Sequence, residues 1–218
     1  VAETGRRPST HRDPDPSASP HSNATARLAA GGVCEAIRLV CAGGLDNAFA
    51  LVRPPGHHAE RSRAKGFCLY NNVAVGARYA QQRLGLARIL VVDWDLHHGN
   101  GTQNCFLADP SVLVFSTHRA FFYPGSGRLG EVGKGAGRGF NINIPLLPGF
   151  GDGEFLTLFK GVLAPVALEF RPDLVLVSAG FDIHADDPMG GMKVTPLGFA
   201  ALTRAVLDRI AALEPRIQ

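Results

Sequence analysis

This chain of 218 residues is poor in several features that mark particular classes of protein. It has only four cysteines, and they show neither the paired spacing of a zinc ribbon nor the density of a secreted disulfide scaffold. It has no apolar run of about 18 residues, the length that a membrane-spanning helix requires. Its charged, proline-rich amino terminus lacks the apolar core of a signal peptide. We therefore expect reduced thiols and a cytoplasmic protein.

The sequence also has no block of basic residues. Its 22 lysines and arginines are spread along the chain and face 19 acidic residues, so the formal net charge is only +3. Proteins that bind a phosphate backbone usually concentrate basic residues on one face or stretch. We therefore expect no direct contact with nucleic acid and none with a membrane, and the oligomeric state stays open.

What the sequence does contain is an alternation of short apolar runs and helix-like stretches. Strands are predicted at 48–52, 88–92, 112–116, 140–144 and 173–178. Helices are predicted at 22–41, 73–84, 102–107, 154–170 and 196–213. Alternation of this kind predicts an α/β fold, with a mainly parallel sheet between layers of helices.

Residues 1–21 differ in composition from the remainder, because they combine polar residues with prolines at positions 8, 14, 16 and 20. Such a segment cannot offset the entropy of ordering by burying apolar surface, so a loose or disordered lead-in is expected. Residues 22–218 are expected to form one domain. Ser22 is of a helix-capping type at the start of the first helix, and Thr195 followed by Pro196 predicts the start of the last.

Polar side chains follow the predicted strands at the point where each strand ends. In chain order these are His57, His58, Asp93, Asp95, His97, His98, His118, Asp182 and His184. In an open α/β sheet, chemistry collects just past the carboxyl ends of the strands. We therefore expect these side chains to converge.

Three of these residues form a candidate metal site. Asp95 and His97 are two residues apart, so in extended backbone both side chains leave on the same face and can bind one ion. Asp182, after the most apolar strand of the second half, is the best candidate for a third ligand. Three protein ligands with an open position are typical of a catalytic metal ion. A capping role for Asp95 and a packing role for His97 is the alternative, which the surrounding string Asp-Trp-Asp-Leu-His-His-Gly-Asn-Gly disfavours.

The tandem His57 and His58 follow two prolines and a glycine, which predicts a rigid turn. Two adjacent imidazoles suit proton transfer near neutral pH. A histidine at the edge of a core is often only a satisfied polar group, but a tandem pair in this setting favours a catalytic role.

The order and wording of five motifs resemble those of the zinc-dependent histone deacetylase and acetylpolyamine amidohydrolase superfamily. The motifs are RPPGHHAE (53–60), GFCLYNN (66–72), DWDLHHGNG (93–101), YPGSG (123–127) and SAGFDIHADDP (178–188). The resemblance covers about residue 22 to the end. Asn100, where one branch carries Asp, is similar to class II and bacterial deacetylase-like members. The family has an arginase/deacetylase-like fold, which the chain would contain in part.

The resemblance implies one catalytic Zn²⁺ held by Asp95, His97 and Asp182, in an enzyme that hydrolyses an acetyl or short acyl amide. It further implies a potassium ion beside the zinc, held by Asp93, Asp95, His97, Ser116 and Thr117. Its implied partner is an acetylated lysine in a peptide or protein, or a small acetylated amine.

The resemblance also assigns the proton transfers. His58 would be the general base and then the acid for the leaving amine, with His57 as its electrostatic partner. Asp93 would accept a hydrogen bond from His57, and Asn100 would accept one from His58. An amide at position 100 supports a cationic His58 less than a carboxylate would.

Four further residues match positions that bind substrate in the family. Phe67 and Tyr123 would wall the channel for the lysine stem, and the Gly66 carbonyl would accept from the substrate amide. Met189 matches the position where polyamine-selective relatives carry an acidic residue, so an apolar residue there favours acyl-lysine.

Family domains carry a Gly-Gly-Tyr loop beyond the segment matched here, whose tyrosine donates to the oxyanion. The tyrosines of this chain are at positions 70, 79 and 123, which do not match it. Loss of one oxyanion donor typically costs about 10²–10³ in rate. We therefore expect residues 1–218 to be the central part of a deacetylase domain and to hydrolyse acetyl-lysine poorly or not at all alone.

Three alternatives stay open at this point. An arginase-like ureohydrolase would hold two manganese ions and would need more bridging carboxylates than Asp95 and Asp182. An acetylpolyamine amidohydrolase would use the same metal site on another substrate. A non-catalytic relative would bind acetyl-lysine or a partner without turnover.

Overall fold

The computed structural model describes residues 10, 11 and 17–211, and its centre is a parallel sheet. The strands are β1 (Thr10–His11), β2 (Ser17–Ala18), β3 (Ile89–Asp93), β4 (Val112–Arg119), β5 (Asn141–Leu146) and β6 (Leu174–Ser178). The last four form the parallel sheet in the order β5-β4-β3-β6, and β1 and β2 form a separate antiparallel pair. The predicted α/β fold with a mainly parallel sheet is confirmed.

Helices cover both faces of this sheet. They are α1 (Ser22–Cys41), α2 (Asn72–Leu84), α3 (Asn100–Phe106), α4 (Asp152–Leu158), α5 (Ala164–Phe170) and α6 (Pro196–Ala211). None of the described helices is long and apolar enough to cross a bilayer.

Strand β3 shows why its sequence is apolar at every position. Leu90 and Val92 belong to the core cluster that includes residues of α4, α5 and α6, whereas Ile89 and Val91 belong to the cluster that includes residues of α1 and α2. Successive side chains of a strand point to opposite faces, so a strand covered on both sides needs an unbroken apolar run.

Most of the predicted elements are confirmed, but the strand predicted at 48–52 is wrong. These residues have no regular secondary structure, and Phe49 and Leu51 are 63% and 83% exposed. A short apolar run becomes a strand only when a neighbour pairs with it, and no described strand lies beside this one. The prediction for residues 1–21 and the predicted helix end at 213 fall mostly outside the described residues.

The ends of two helices test the predicted caps. Helix α6 is capped as predicted, because Thr195 Oγ1 accepts from the Gly198 N–H at 3.1 Å. Helix α1 differs, because His21 is its N-cap and Ser22 is already helical, without a side-chain cap.

The helix predicted at 154–170 contains an interruption. It begins at Asp152, passes through a π-helical turn at Phe159–Leu163 and continues as α5. Pro165 lacks an N–H, and a proline ring crowds the carbonyl four residues earlier. The wider π turn before it lets the helical path continue past this proline.

The register of the sheet sets the level at which its strands end. Asp93, the last residue of β3, pairs with Ser116 of β4 and with Ser178 of β6. The loops that leave β3 and β6 therefore start side by side at the same edge of the sheet.

Replacing Phe115 tests the core that supports this edge. Its side chain is fully buried in β4, so Phe115→Ala is expected to lower the free energy of unfolding by about 3–5 kcal/mol in a urea titration. The matched control is Phe121→Ala, at a side chain that is 99% exposed; its effect is expected to stay within about 0.5 kcal/mol. Equal effects of the two substitutions would contradict this packing.

Candidate metal centre

Asp95, His97 and Asp182 meet at the edge where β3 and β6 end. One ligand atom from each of the three residues lies within 4.8 Å of the others. His97 Nδ1 is 3.0 Å from Asp95 Oδ1 and 3.0 Å from Asp182 Oδ2. The convergence expected from the sequence is therefore present for all three proposed ligands.

Backbone groups hold the two carboxylates of this cluster in place. The His97 N–H donates to Asp95 Oδ1 at 2.7 Å, and the Leu96 N–H donates to Asp182 Oδ1 at 2.9 Å. Gly180 is needed for the close approach, because a Cβ on it would lie 2.6 Å from Asp95 Cα. The loop after β6 can thus pass directly against the loop after β3.

The donor set fits a divalent cation such as Zn²⁺, which takes imidazole nitrogen and carboxylate oxygen in catalytic sites. Burial disfavours a charged His97, but the hydrogen bonds to Asp182 and Asp95 outweigh it and raise the pKa of His97 to about 10. Two carboxylates therefore draw positive charge to the Nδ1 position. A cation bound there takes the place of that proton.

The tandem histidines lie beside this cluster, and each has its own partner. His57 Nδ1 is 2.9 Å from Asp93 Oδ2, and His58 Nδ1 is 2.8 Å from Asn100 Oδ1. The two rings are 4.0 Å apart between centroids. Both pairings match those implied by the resemblance.

The pKa values of the two histidines are shifted in opposite directions, although the residues are adjacent in the chain. Burial disfavours a charged His57, yet the carboxylates of Asp93 and Asp95 outweigh this and raise the pKa of His57 to about 9. Burial and the charge of His57 lower the pKa of His58 to about 3. The surroundings therefore favour the charged form of His57 and the neutral form of His58.

Helix α3 begins against the loop that carries these histidines. The Thr102 N–H donates to the His57 carbonyl at 3.1 Å. Gly101 is required at this contact, because a Cβ on it would lie 2.7 Å from the carbonyl carbon of Ala59. The second glycine of the Gly-Asn-Gly sequence thus lets the helix carry Asn100 to His58.

Two of the predicted substrate residues, Gly66 and Tyr123, lie against the His58 ring and together with Phe67 form the rim. Gly66 has a φ of 53°, which suits glycine, and a Cβ on it would collide with the His58 ring. Phe67 is 62% exposed beside it. The Tyr123 ring meets the His58 ring edge-on, with centroids 5.0 Å apart.

The sequence analysis did not identify Phe122 and Arg119, which pack one after the other against the candidate metal ligand His97. The Phe122 ring stacks on His97 with centroids 5.4 Å apart, and the Arg119 guanidinium lies 4.3 Å from the centre of the Phe122 ring. Arg119 also donates to the carbonyls of Met189 and Gly190 at 3.0 and 3.2 Å. Arg119 therefore links the loop that carries Met189 to Phe122, which packs beside the metal cluster.

A buried polar network supports the site from behind. His98 contacts Ser126 and Gln103 at 2.8 and 3.1 Å, and Gln103 donates to Glu131 at 2.7 Å. Burial, with the neighbouring ring of His118, lowers the pKa of His98 to about 4. These histidines are neutral hydrogen-bonding groups inside the protein.

The remaining predicted residues fall in different places. Ser116 and Thr117 are buried in β4, where Ser116 Oγ is 2.9 Å from His118 Nδ1. His118 lies within β4 instead of beyond its end. His184 does not join the cluster, because its ring stacks on Phe199.

Comparison with known proteins points to one family. A family model described as the histone deacetylase domain matches residues 2–217. Histone deacetylases 9 and 7 of Homo sapiens are 52% and 49% identical to the chain over 197 residues. Histone deacetylase 5 of Arabidopsis thaliana is 49% identical over 196 residues. Each match covers 86% of the chain but only 19%, 21% and 30% of these relatives, so the chain spans about a fifth to a third of their length.

A solved crystal structure of the HDA15 HD domain is similar in fold. Its TM-score to this chain is 0.92 at 44% sequence identity, over 94% of this chain and 61% of that one. Nearly all of the chain therefore has a counterpart in that structure.

Replacing a ligand tests the metal centre. We expect the chain to bind one Zn²⁺ in calorimetric titration, and His97→Ala to weaken the affinity more than about 100-fold, since loss of an outer-layer partner alone costs about 10–100-fold. The control is Asp186→Ala, whose side chain is 91% exposed. Equal affinity of His97→Ala and the unaltered chain would refute the assignment.

Replacing Arg119 tests whether this residue holds the loop that carries Met189 in place. Hydrogen bonds from a charged donor contribute about 1.5–3 kcal/mol, so Arg119→Met should speed amide hydrogen exchange in residues 186–191 roughly tenfold or more. Arg128→Met, at an exposed arginine, is the control and should leave this segment unchanged. Unaltered exchange in Arg119→Met would show that the loop is held by other contacts.

Proposed function

The chain belongs to the histone deacetylase family, and from this premise we propose that it hydrolyses an acetyl or other short acyl amide on lysine with the help of one Zn²⁺. The single observation that carries the proposal is the position of a neutral His58 beside three cation-ligating side chains. Membership of the family supports a hydrolase that acts on amides.

The proposed zinc ligands are Asp95, His97 and Asp182. A zinc ion supplies Lewis acidity toward the amide carbonyl and generates a nucleophile from water at neutral pH. The surrounding residues transfer protons, supply positive charge and bind the substrate.

His58 handles the protons. Its Nδ1 is engaged by Asn100, so Nε2 is the ring nitrogen that can take a proton from the attacking water. The same Nε2 then donates this proton to the leaving lysine amine. Burial and the charge of His57 lower the pKa of His58, so its ring is neutral at neutral pH in the protein without substrate and has a lone pair free for a proton.

His57 supplies positive charge next to that base. Asp93 orients it through the contact at 2.9 Å and favours its cationic form. A fixed cation beside the reacting amide stabilises the negative charge that develops there.

The rim binds the substrate in this proposal. Phe67 and Tyr123 contact the methylene stem of lysine, and the Gly66 carbonyl accepts a hydrogen bond from the substrate backbone amide. Apolar walls suit a four-carbon stem that has to leave water along its whole length.

Acyl-lysine is favoured over an acetylated polyamine at the outer end of the site. Met189 is 72% exposed there and presents no charge to a second ammonium group. One oxygen of the nearby Asp187 is engaged within its own loop, because Oδ1 accepts from the Met189 and Gly190 N–H groups at 2.9 and 2.7 Å. An acetylated lysine in a peptide or protein is therefore the proposed substrate.

A ureohydrolase with two metal ions has less support. Among the described residues, Asp95, His97 and Asp182 form the one group of three metal-ligating side chains this close together. One ion per chain is accordingly proposed.

We also propose a potassium ion next to the zinc, held by oxygen atoms of Asp93, Asp95, His97, Ser116 and Thr117, with the main-chain carbonyl as the only oxygen that His97 can offer. The buried pair Asp93 and Ser116 lies in register on adjacent strands. Thr117 Oγ1 is buried with no hydrogen-bond partner among the described residues. Oxygen ligands of this kind suit a hard cation.

Replacing His58 tests the hydrolase proposal. With a fluorogenic acetyl-lysine peptide and Zn²⁺, His58→Ala is expected to lower kcat by about 10²–10⁴ while zinc is still bound. His184→Ala, at a histidine outside the cluster, should keep the rate of the unaltered chain. The poor or absent turnover expected for residues 1–218 alone stays a prediction.

Two results would contradict the proposal. Equal turnover of His58→Ala and the unaltered chain would remove His58 from the reaction. Binding of zinc and of acetyl-lysine peptide without turnover by the unaltered chain would favour the non-catalytic alternative.

A further inference from the structure

We propose that Glu60 is a positioning residue that sets the ring tautomer of His58 by holding the side-chain amide of Asn100 in one orientation. The inference rests on the proposed function, in which His58 transfers protons. Glu60 itself contacts neither a metal ligand nor the proposed substrate position.

The three residues form a continuous chain of hydrogen bonds. His58 Nδ1 is 2.8 Å from Asn100 Oδ1, and Asn100 Nδ2 donates to Glu60 Oε1 at 2.8 Å. The same Glu60 oxygen accepts from Asn104 Nδ2 at 3.2 Å. Asn100 is only 3% exposed, so water cannot readily replace these partners.

Within this chain of hydrogen bonds, the carboxylate of Glu60 determines which atom of Asn100 faces His58. A carboxylate only accepts hydrogen bonds, so the NH₂ group of Asn100 has to face Glu60. The amide oxygen of Asn100 therefore faces His58, and an oxygen there requires the proton of a neutral ring to be on Nδ1. The lone pair is then on Nε2, which is the arrangement that a general base needs.

An asparagine without such a partner could point either way. In the reversed orientation its NH₂ group would donate to His58 Nδ1, and the ring proton would move to Nε2. Without a carboxylate at position 60, no acceptor would oppose that orientation. The weak contact from Asn100 Nδ2 to the His58 carbonyl, at 3.4 Å, would hold the productive state poorly by itself.

The role of Glu60 is to accept hydrogen bonds, and the negative charge of its side chain is secondary. Both asparagine side chains donate to the one oxygen Oε1. A glutamine with its carbonyl oxygen in that place can take both bonds, whereas a methionine of similar length cannot. An aspartate at position 100 would need no such support, since both of its oxygens accept.

The test uses the full chain of 218 residues, labelled with ¹⁵N-histidine, and reads the tautomer of His58 by NMR at neutral pH. We expect the unaltered chain and Glu60→Gln to carry the proton on Nδ1. Glu60→Met should acquire a population protonated on Nε2. The double variant Glu60→Met with Asn100→Asp should return the proton to Nδ1. Glu35→Met, at an exposed carboxylate of α1, is the control and should not differ from the unaltered chain.

Kinetics with the acetyl-lysine peptide provide a second readout. Glu60→Met is expected to lower kcat with KM unchanged, in proportion to the share of His58 that NMR finds protonated on Nε2, which is about twofold at equal populations. The double variant should recover most of this loss, which a general defect in folding would not allow.

The outcomes separate this inference from the proposed function. An Nδ1 proton that is retained in Glu60→Met, or an Nε2 proton in the unaltered chain, would overturn the role of Glu60 even if the chain hydrolyses the peptide. A tautomer shift in Glu60→Met with no hydrolysis by the unaltered chain would support the role of Glu60 and contradict the proposed function.

Discussion

The candidate site depends on two parallel strands, β3 and β6, that end at the same level. Asp93 pairs with Ser178, so the loops that follow start side by side. Asp95 comes two residues beyond the first strand and Asp182 four residues beyond the second. The glycine at position 180 lets the loops touch, and His97 Nδ1 then lies within 3.0 Å of both carboxylates. A shift of one residue in this pairing would turn the side chains to opposite faces and separate the ligands.

A second feature of the site is that two neighbouring imidazoles have been given different properties by their surroundings. His57 faces two carboxylates that raise its pKa, whereas burial and the charge of His57 lower the pKa of His58. The sequence places them side by side, but their partners come from β3 and α3. Pairs of groups whose pKa values are pushed apart in this way are typical of acid–base catalysis.

The fold class and the convergence of Asp95, His97 and Asp182 could be predicted from the sequence because they depend on local pattern. Buried strands such as 89–93 are unbroken apolar runs, and the polar residues that follow them are visible in the printed sequence. The strand predicted at 48–52 was wrong, since an apolar run does not reveal whether a neighbour is present to pair with it. Arg119, Phe122 and Glu60 were missed for a related reason. Their roles depend on contacts with residues 25 to 71 positions away, such as the bond from Arg119 to the Gly190 carbonyl, and no local signal marks them.

The most direct test of the account is X-ray absorption spectroscopy at the zinc edge on the chain loaded with one equivalent of Zn²⁺. Coordination by Asp95, His97 and Asp182 predicts a first shell of nitrogen and oxygen only, with an imidazole contribution that disappears in His97→Ala. A sulfur shell at about 2.3 Å would instead assign the zinc to cysteine. A metal–metal vector of about 3.5–4 Å would indicate a two-metal site. Either result would contradict a single zinc held at the ends of β3 and β6.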